Sequence, residues 1–356
     1  MLLRLPSFAL TICLTLTSAF AAPVEIFPAG LRGALQPQIT VAPSGRIHIV
    51  FGKDNAIYHT ASTDGRAFSQ PVKVGELEKL ALKMRRGPRV AVAGQRVIVT
   101  AISHQDGTLH CWASADEGTT WKEQARLNSP AGSAREGLHA MAGDGRGLIA
   151  VAWLDLRNKG TELWSRVSHD GGATWGSETR VYASPDGHIC ECCHPSLAIG
   201  PKGEIAALWR NWLDGSRDMW LAVSRDGGKT FADARKLGSG TWKLKGCPMD
   251  GGAVAFAGDG QPLAVWRREK TVFASAMPDR EDQLSDSGTQ PVIQSSSQGV
   301  LTVWEERGGL MLKRDQAAPT QLAANGRAAA MAAMPDGGVV IAWETPEGAI
   351  MADIVR

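Results

Sequence analysis

After its first 21 residues the chain has no apolar run long enough to cross a bilayer, so it is not read as inserting into a membrane. It has no excess of one charge either: 38 Lys and Arg stand against 36 Asp and Glu, without blocks. An electrostatic nucleic-acid binder needs a clustered basic face, and the sequence offers none. Helical periodicity of useful length is missing as well. Tyrosine is scarce, with only Tyr58 and Tyr182 in a chain that has 12 Trp and 40 Gly. That imbalance points to many tight turns and recurrent Trp packing. Cysteine is scarce and clumped, for three of the six fall in the run Cys190-Glu191-Cys192-Cys193-His194.

The opening segment reads as an export signal. Arg4 gives a short positive region, Phe8 to Leu16 an apolar core, and Ala19-Phe20-Ala21 a small-x-small cleavage site. The expectation is a signal peptide over 1–21 and a single domain over 22–356, periplasmic or secreted after cleavage near Ala21. Cys13 is lost with the peptide. Five cysteines remain, Cys111, Cys190, Cys192, Cys193 and Cys247, so at least one is unpaired in the monomer, is a ligand, or pairs with another chain. Exported chains rarely leave thiols idle.

Internal repeats organise the rest. Ser114-x-Asp116-x-Gly118-x-Thr120-Trp121, Ser168-x-Asp170-x-Gly172-x-Thr174-Trp175 and Ser224-x-Asp226-x-Gly228-x-Thr230-Phe231 share every fixed position, and Ser62-Thr-Asp64-Gly is a shortened copy. The Asp side chain can accept backbone amides within a turn, and Gly permits a left-handed residue there. A role in structure rather than catalysis is expected for Asp64, Asp116, Asp170 and Asp226. This is the Asp-box, or BNR, pattern, and through its first four modules the chain resembles the sialidase-like β-propellers.

A second period extends further. Apolar alternation ends in Trp at Trp153, Trp209, Trp266, Trp304 and Trp343, with Phe51 in the matching place of the first module. Inner strands are expected near Pro37, Pro88, Leu138, Pro195, Gly251, Pro291 and Ala328, which makes seven modules. Such strand-turn-strand units predict an all-β propeller of four-stranded antiparallel blades. The last module shows three strands, and Val24 to Phe27 is expected to supply its fourth and close the ring. Sialidases have six blades, so six is the alternative count.

Antiparallel neighbours bring the starts of the inner strands and the ends of the second strands to one face. That mouth is expected to hold Arg85, Arg86, Arg135, His139, the run His188 to His194 and Gly246 to Met249. From the second strands come Lys53, His104, Asp155, Arg157, Arg210, Arg267, Arg268, Glu305, Glu306 and Glu344. A small-molecule or glycan ligand, or a protein partner, would bind there.

The cysteine run admits four chemistries. Cys247 can pair with one of its thiols and staple neighbouring blades. Cys190, Cys192, Cys193, His194 and Cys247 can bind a metal, with His188 or Met249 as further donors; soft sulfur and imidazole select copper(I) or zinc. Cys190-x-x-Cys193-His194 also matches the haem c attachment pattern. A reactive thiol, its pKa depressed by nearby arginines, is the fourth. The leading expectation is the metal site. The resemblance implies instead a glycosidase for acidic sugars, with an arginine triad, a Tyr nucleophile and an Asp acid. Leu35-Gln-Pro-Gln38 stands where that family has Arg-Ile-Pro, and neither Tyr is expected at the mouth. Arg86, Arg210 and Arg267, with Glu305 or Glu344, remain as the candidate set for an anionic ligand.

Overall fold

Short runs of Val, Ile, Ala and Trp, cut every few residues by Gly- and Asp-containing turns, can bury themselves only as strands. The computed structural model describes residues 22–27, 29–276 and 280–356, and in it these runs form seven four-stranded antiparallel sheets. The export segment read at 1–21 lies outside the described residues. Inner strands run Leu35–Val41, Arg89–Ala93, His139–Gly143, Ser196–Ile199, Ala253–Phe256, Thr289–Ser296 and Arg327–Ala333. Each packs beside the next around a central axis, and the seventh meets the first. Seven blades, not six, is the count.

The ring closes as expected. Val24–Glu25 pairs with Ile350–Val355, placing Val24 opposite Ala352 and Glu25 opposite Met351. An N-terminal strand thus completes the blade made by the C-terminus, and the last sheet keeps no open edge of three strands.

Second strands lie between blades and are buried on both faces. Every residue of Ile149–Asp155, Ile205–Arg210 and Val339–Glu344 is buried. The repeated aromatic at their ends is a wedge driven into the preceding blade. Phe51 shares a buried cluster with Val340 and Ile350, Trp153 with Ile98 and Leu109, and Trp209 with Ala150 and Leu163. Trp266 shares one with Leu208 and Met219, Trp304 with Val265 and Val272, and Trp343 with Leu301 and Leu310. Truncating one such wedge to Ala costs about 3–5 kcal/mol.

The Asp-boxes form the turns between third and outer strands of the first four blades. At Asp170, Oδ1 accepts Ser168 Oγ at 2.8 Å and the Thr174 amide at 2.8 Å, and Oδ2 accepts Thr174 Oγ1. Asp64, Asp116 and Asp226 repeat the pattern with Ser62, Ser114 and Ser224.

A cavity of about 680 Å³ runs along the axis between the inner strands, with Ala140, Leu197, Val254 and Ala330 among its walls. Where the inner strands start, Arg85 reaches over it. Its Nη1 donates to Ala329 O at 2.8 Å and its Nη2 to Gln290 O at 2.7 Å, so blades 6 and 7 are tied to the loop that opens blade 2.

Candidate functional site

Two loops build the sulfur site. One runs from the outer strand of blade 3 (Thr179–Tyr182) to Ser196–Ile199; the other runs from the outer strand of blade 4 (Ala232–Lys236) to Ala253–Phe256. The cysteine run lies in the turn ahead of the inner strand rather than in the strand itself. The Ile189 amide donates to Thr161 O at 2.9 Å and the Cys190 amide to Arg210 O at 3.0 Å. Cys190 is therefore fixed between the second strand of blade 4 and the loop of blade 3. From the other loop Cys247 forms a disulfide with Cys192, Cα to Cα 6.1 Å, which joins the starts of blades 4 and 5.

Behind that bond sit two free thiols. Cys190 Sγ lies 3.1 Å from Cys193 Sγ and 3.6 Å from Cys192 Sγ, and Cys192 Sγ lies 4.0 Å from Cys193 Sγ. Cys190 and Cys193 are 1 % exposed and Cys192 9 %. Arg217 Nη1 donates to Cys190 Sγ at 3.0 Å, and its guanidinium lies 4.0 Å over the Trp212 ring. Cys190 has its pKa lowered to about 6, by its hydrogen bond with Cys193 first and by the charges of Arg217 and Arg210, against the opposing effect of burial. Cys193 moves the other way, held protonated by burial and by its neighbour Cys190. The two shifts run in opposite directions and favour the negative charge on Cys190 over Cys193. Arg217 does not figure among the sequence candidates; its signal is positional, because it stands two residues ahead of the strand Met219–Ser224, whose start pairs with Arg210.

The remaining candidates are placed as follows. His194 turns into the axial cavity, apart from the sulfurs, with Nδ1 buried and unpartnered; burial and the charges of Arg85 and Arg89 hold it neutral. Arg210 is buried and spends its guanidinium on three carbonyls, Asp250 at 2.9 Å, Arg217 at 2.7 Å and Arg267 at 2.8 Å. It is a strut between blades 4 and 5. Arg267 donates to Glu269 O and faces Asp250 at 3.7 Å, and Arg86 donates to Glu136 O at 2.8 Å. Glu305 accepts the Ala328 amide at 2.8 Å; Glu344 accepts the Gln36 amide at 2.6 Å and pairs with Arg327 at 2.9 Å. Tyr182 packs on Trp209 and Trp220. Tyr58 stacks on Phe51. Each of these arginines and glutamates is held by a partner within the chain.

The sulfurs converge. A tetrahedral ion with Zn–S bonds of about 2.3 Å spaces its sulfurs by about 3.8 Å. The observed separations of 3.1, 3.6 and 4.0 Å bracket that value. Among the described residues, Cys190, Cys192 and Cys193 form the group of three donor atoms close enough to share one ion; two of them are free thiols and Cys192 is bonded to Cys247. Attachment of haem through Cys190 and Cys193 needs room for a macrocycle beside two sulfurs that are here buried and in contact.

Comparison with known proteins adds the wider relationship. No curated relative matches the chain. Among solved structures, the α-L-arabinanase of Penicillium chrysogenum with arabinobiose is similar at 15% identity and TM-score 0.56, covering 95% of this chain and 98% of its own. A catalytically inactive variant of virginiamycin B lyase from Staphylococcus aureus with quinupristin is similar at 11% identity and TM-score 0.56, covering 94% and 98%. The leech intramolecular trans-sialidase with 2,7-anhydro-Neu5Ac is similar at 12% identity and TM-score 0.54, covering 95% and 70%. At such identities the likeness is one of fold. The family model for the BNR repeat-like domain matches residues 90–348, and the chain belongs to that family of sialidase-like BNR propellers.

Proposed function

We propose that this chain is an exported propeller that binds a soft metal ion, zinc or copper(I), through a sulfur site at the starts of blades 4 and 5. Cys190 and Cys193 form its core, and Cys192, bonded to Cys247, becomes a third donor only when that disulfide opens. The observation that carries the reading is the placement of three sulfurs within 4.0 Å of one another, with Arg217 Nη1 3.0 Å from Cys190. A buried thiolate is costly unless paired, and a guanidinium beside the sulfurs offsets the negative charge that a thiolate-bound ion retains. His194 is not needed as a donor in this reading. A glycosidase reading draws on the fold and on what the similar proteins are named for. Arg210 and Glu344, two members of its candidate set, are already committed to partners within the chain.

Metal analysis of protein purified from the periplasm, paired with a thiol count, tests the reading. One equivalent of zinc or copper, lost in Cys190→Ser, is expected. Metal-free protein in which Cys190–Cys193 and Cys192–Cys247 are both disulfides would sink it.

A further inference from the structure

The sulfur site reaches the surface at one of its four cysteines. Cys190, Cys192 and Cys193 are buried, whereas Cys247, bonded to Cys192, lies exposed on the loop that starts blade 5. The same bond has thiols against its inner end: Cys190 Sγ at 3.6 Å and Cys193 Sγ at 4.0 Å from Cys192 Sγ. A staple needs neither feature. The join it spans is already held by Arg210, which donates to the carbonyls of Asp250 and Arg267 across the blade boundary. Thiol–disulfide exchange, in contrast, requires access to one sulfur and a thiolate able to leave from the other.

We propose that Cys192–Cys247 is an exchange disulfide, opened at Cys247 by a partner that carries a dithiol, and that its opening completes the metal site. The second half rests on the metal reading above; the exchange itself does not. A partner thiolate attacks Cys247 Sγ, the Cys192–Cys247 bond breaks, and Cys192 leaves as a thiolate. The partner's second thiol then attacks the partner's own sulfur in the mixed disulfide, and Cys247 is released. The partner ends as a disulfide, two electrons have entered the chain, and the two thiol protons pass to the new thiolates or to solvent. Cys192 now stands free beside Cys190 and Cys193, so a pair of available sulfurs becomes a set of three with Cys247 as a fourth. An ion held by two thiolates is exchanged for one held by a closed sulfur shell, the arrangement typical of tight structural zinc sites. Metal capacity thus follows the redox state of a bond that the partner touches at the surface.

The test uses the folded mature chain in native buffers poised with oxidised and reduced dithiothreitol. Acid-quenched alkylation with peptide mapping reads each cysteine, circular dichroism reads the fold, and added zinc chloride reads the site. Cys192 and Cys247 are expected to open together and reversibly with the fold intact, and zinc affinity to rise at least tenfold. In Cys247→Ser, which frees Cys192 permanently but removes the fourth sulfur, affinity should lie above that of the oxidised chain and no longer follow the redox poise of the buffer. A bond that remains closed in the native protein at dithiothreitol levels that open it in urea, or that opens only as the fold is lost, overturns the proposal. Reversible opening with no zinc uptake in any buffer leaves the exchange standing and overturns both the coupling and the metal reading.

Discussion

In the turn at Asp170 the aspartate and Ser168 find their partners within seven residues, while in the loops around Cys190 several buried polar atoms find none. Asp170 accepts from Ser168 and Thr174, and Ser168 Oγ in turn accepts the Gly172 amide at 2.8 Å. At the mouth of blades 4 and 5, Arg217 Nε, Asn211 Oδ1, His194 Nδ1 and Asp250 Oδ1 are buried without a partner. Both regions are short loops at the edge of a blade. The first occurs four times and the second once. An aspartate satisfied within its own turn can be copied from blade to blade, although flanking groups such as the Gly171 amide, which donates to Gly147 O, still reach outside it. Buried groups left unpaired carry a desolvation cost that asks for a compensating ligand, ion or water. The difference separates a structural repeat from a site.

The largest effect should come from removing the charged sulfur. Cys190→Ser or Cys193→Ser is expected to lower zinc affinity by more than about 100-fold, beyond the usual cost of disturbing an outer-shell partner. Asp170→Ala is the mirror experiment, expected to lower Tm by a few degrees while zinc titration is unchanged. A loss of zinc binding in Asp170→Ala would erase the contrast between the two regions.

Acid separates them next. Asp116, Asp170 and Asp226 are lowered to about 2 by hydrogen bonds within the turn, chiefly from Thr120, Thr174 and Thr230. A carboxylate depressed in the fold contributes stability that is complete above its unfolded value near 4 and is lost as pH falls from about 4 to 2. Urea midpoints should therefore drop across that window, and the drop should shrink in a chain with all three changed to Asn. An equal drop in the triple variant would assign acid sensitivity elsewhere.

Within the site, Arg217→Met should move the Cys190 thiolate, read by absorbance near 240 nm, from a midpoint of about 6 to a higher pH, since one cause of the lowering is the Arg217 charge. Arg217→Lys should restore part of the shift. A midpoint that stays put would remove Arg217 from the electrostatics and leave the hydrogen bond with Cys193 and the Arg210 charge as the causes.

The two regions also differ in how much the sequence disclosed. The boxes and the Trp wedges are periodic, and a period survives ignorance of the third dimension; from it came seven blades, the closing strand at Val24 and the shared mouth. The grouping of Cys190, Cys192, Cys193 and Cys247 was legible because three are adjacent and the fourth opens the next blade. What was hidden depends on side-chain direction. His194 follows Cys193 directly, yet it turns toward the axis while the thiols turn between blades. Arg210 looks like an anion-binding arginine until its three carbonyl partners are seen. Arg217 has no motif at all, and only the register that sets Arg210 opposite Met219 brings it to Cys190.

The smallest expected effect compares two buried cysteines. Cys111 sits in the third strand of blade 2, fully buried beside Ile98 and Trp153. Burial pushes its thiol up to about 12, against a weak opposing pull from Arg96. Burial acts on Cys190 in the same direction, but there Cys193 and Arg217 outweigh it. If donors decide the charge, then Cys111→Ala should leave the thiolate absorbance at pH 8 unchanged while Cys190→Ala removes it. Loss of the Cys111 sulfur from a packed strand should cost about 1 kcal/mol, with zinc binding intact. Thiolate signal at pH 8 that disappears with Cys111 would mean that the blade interior, rather than the mouth, holds the reactive sulfur.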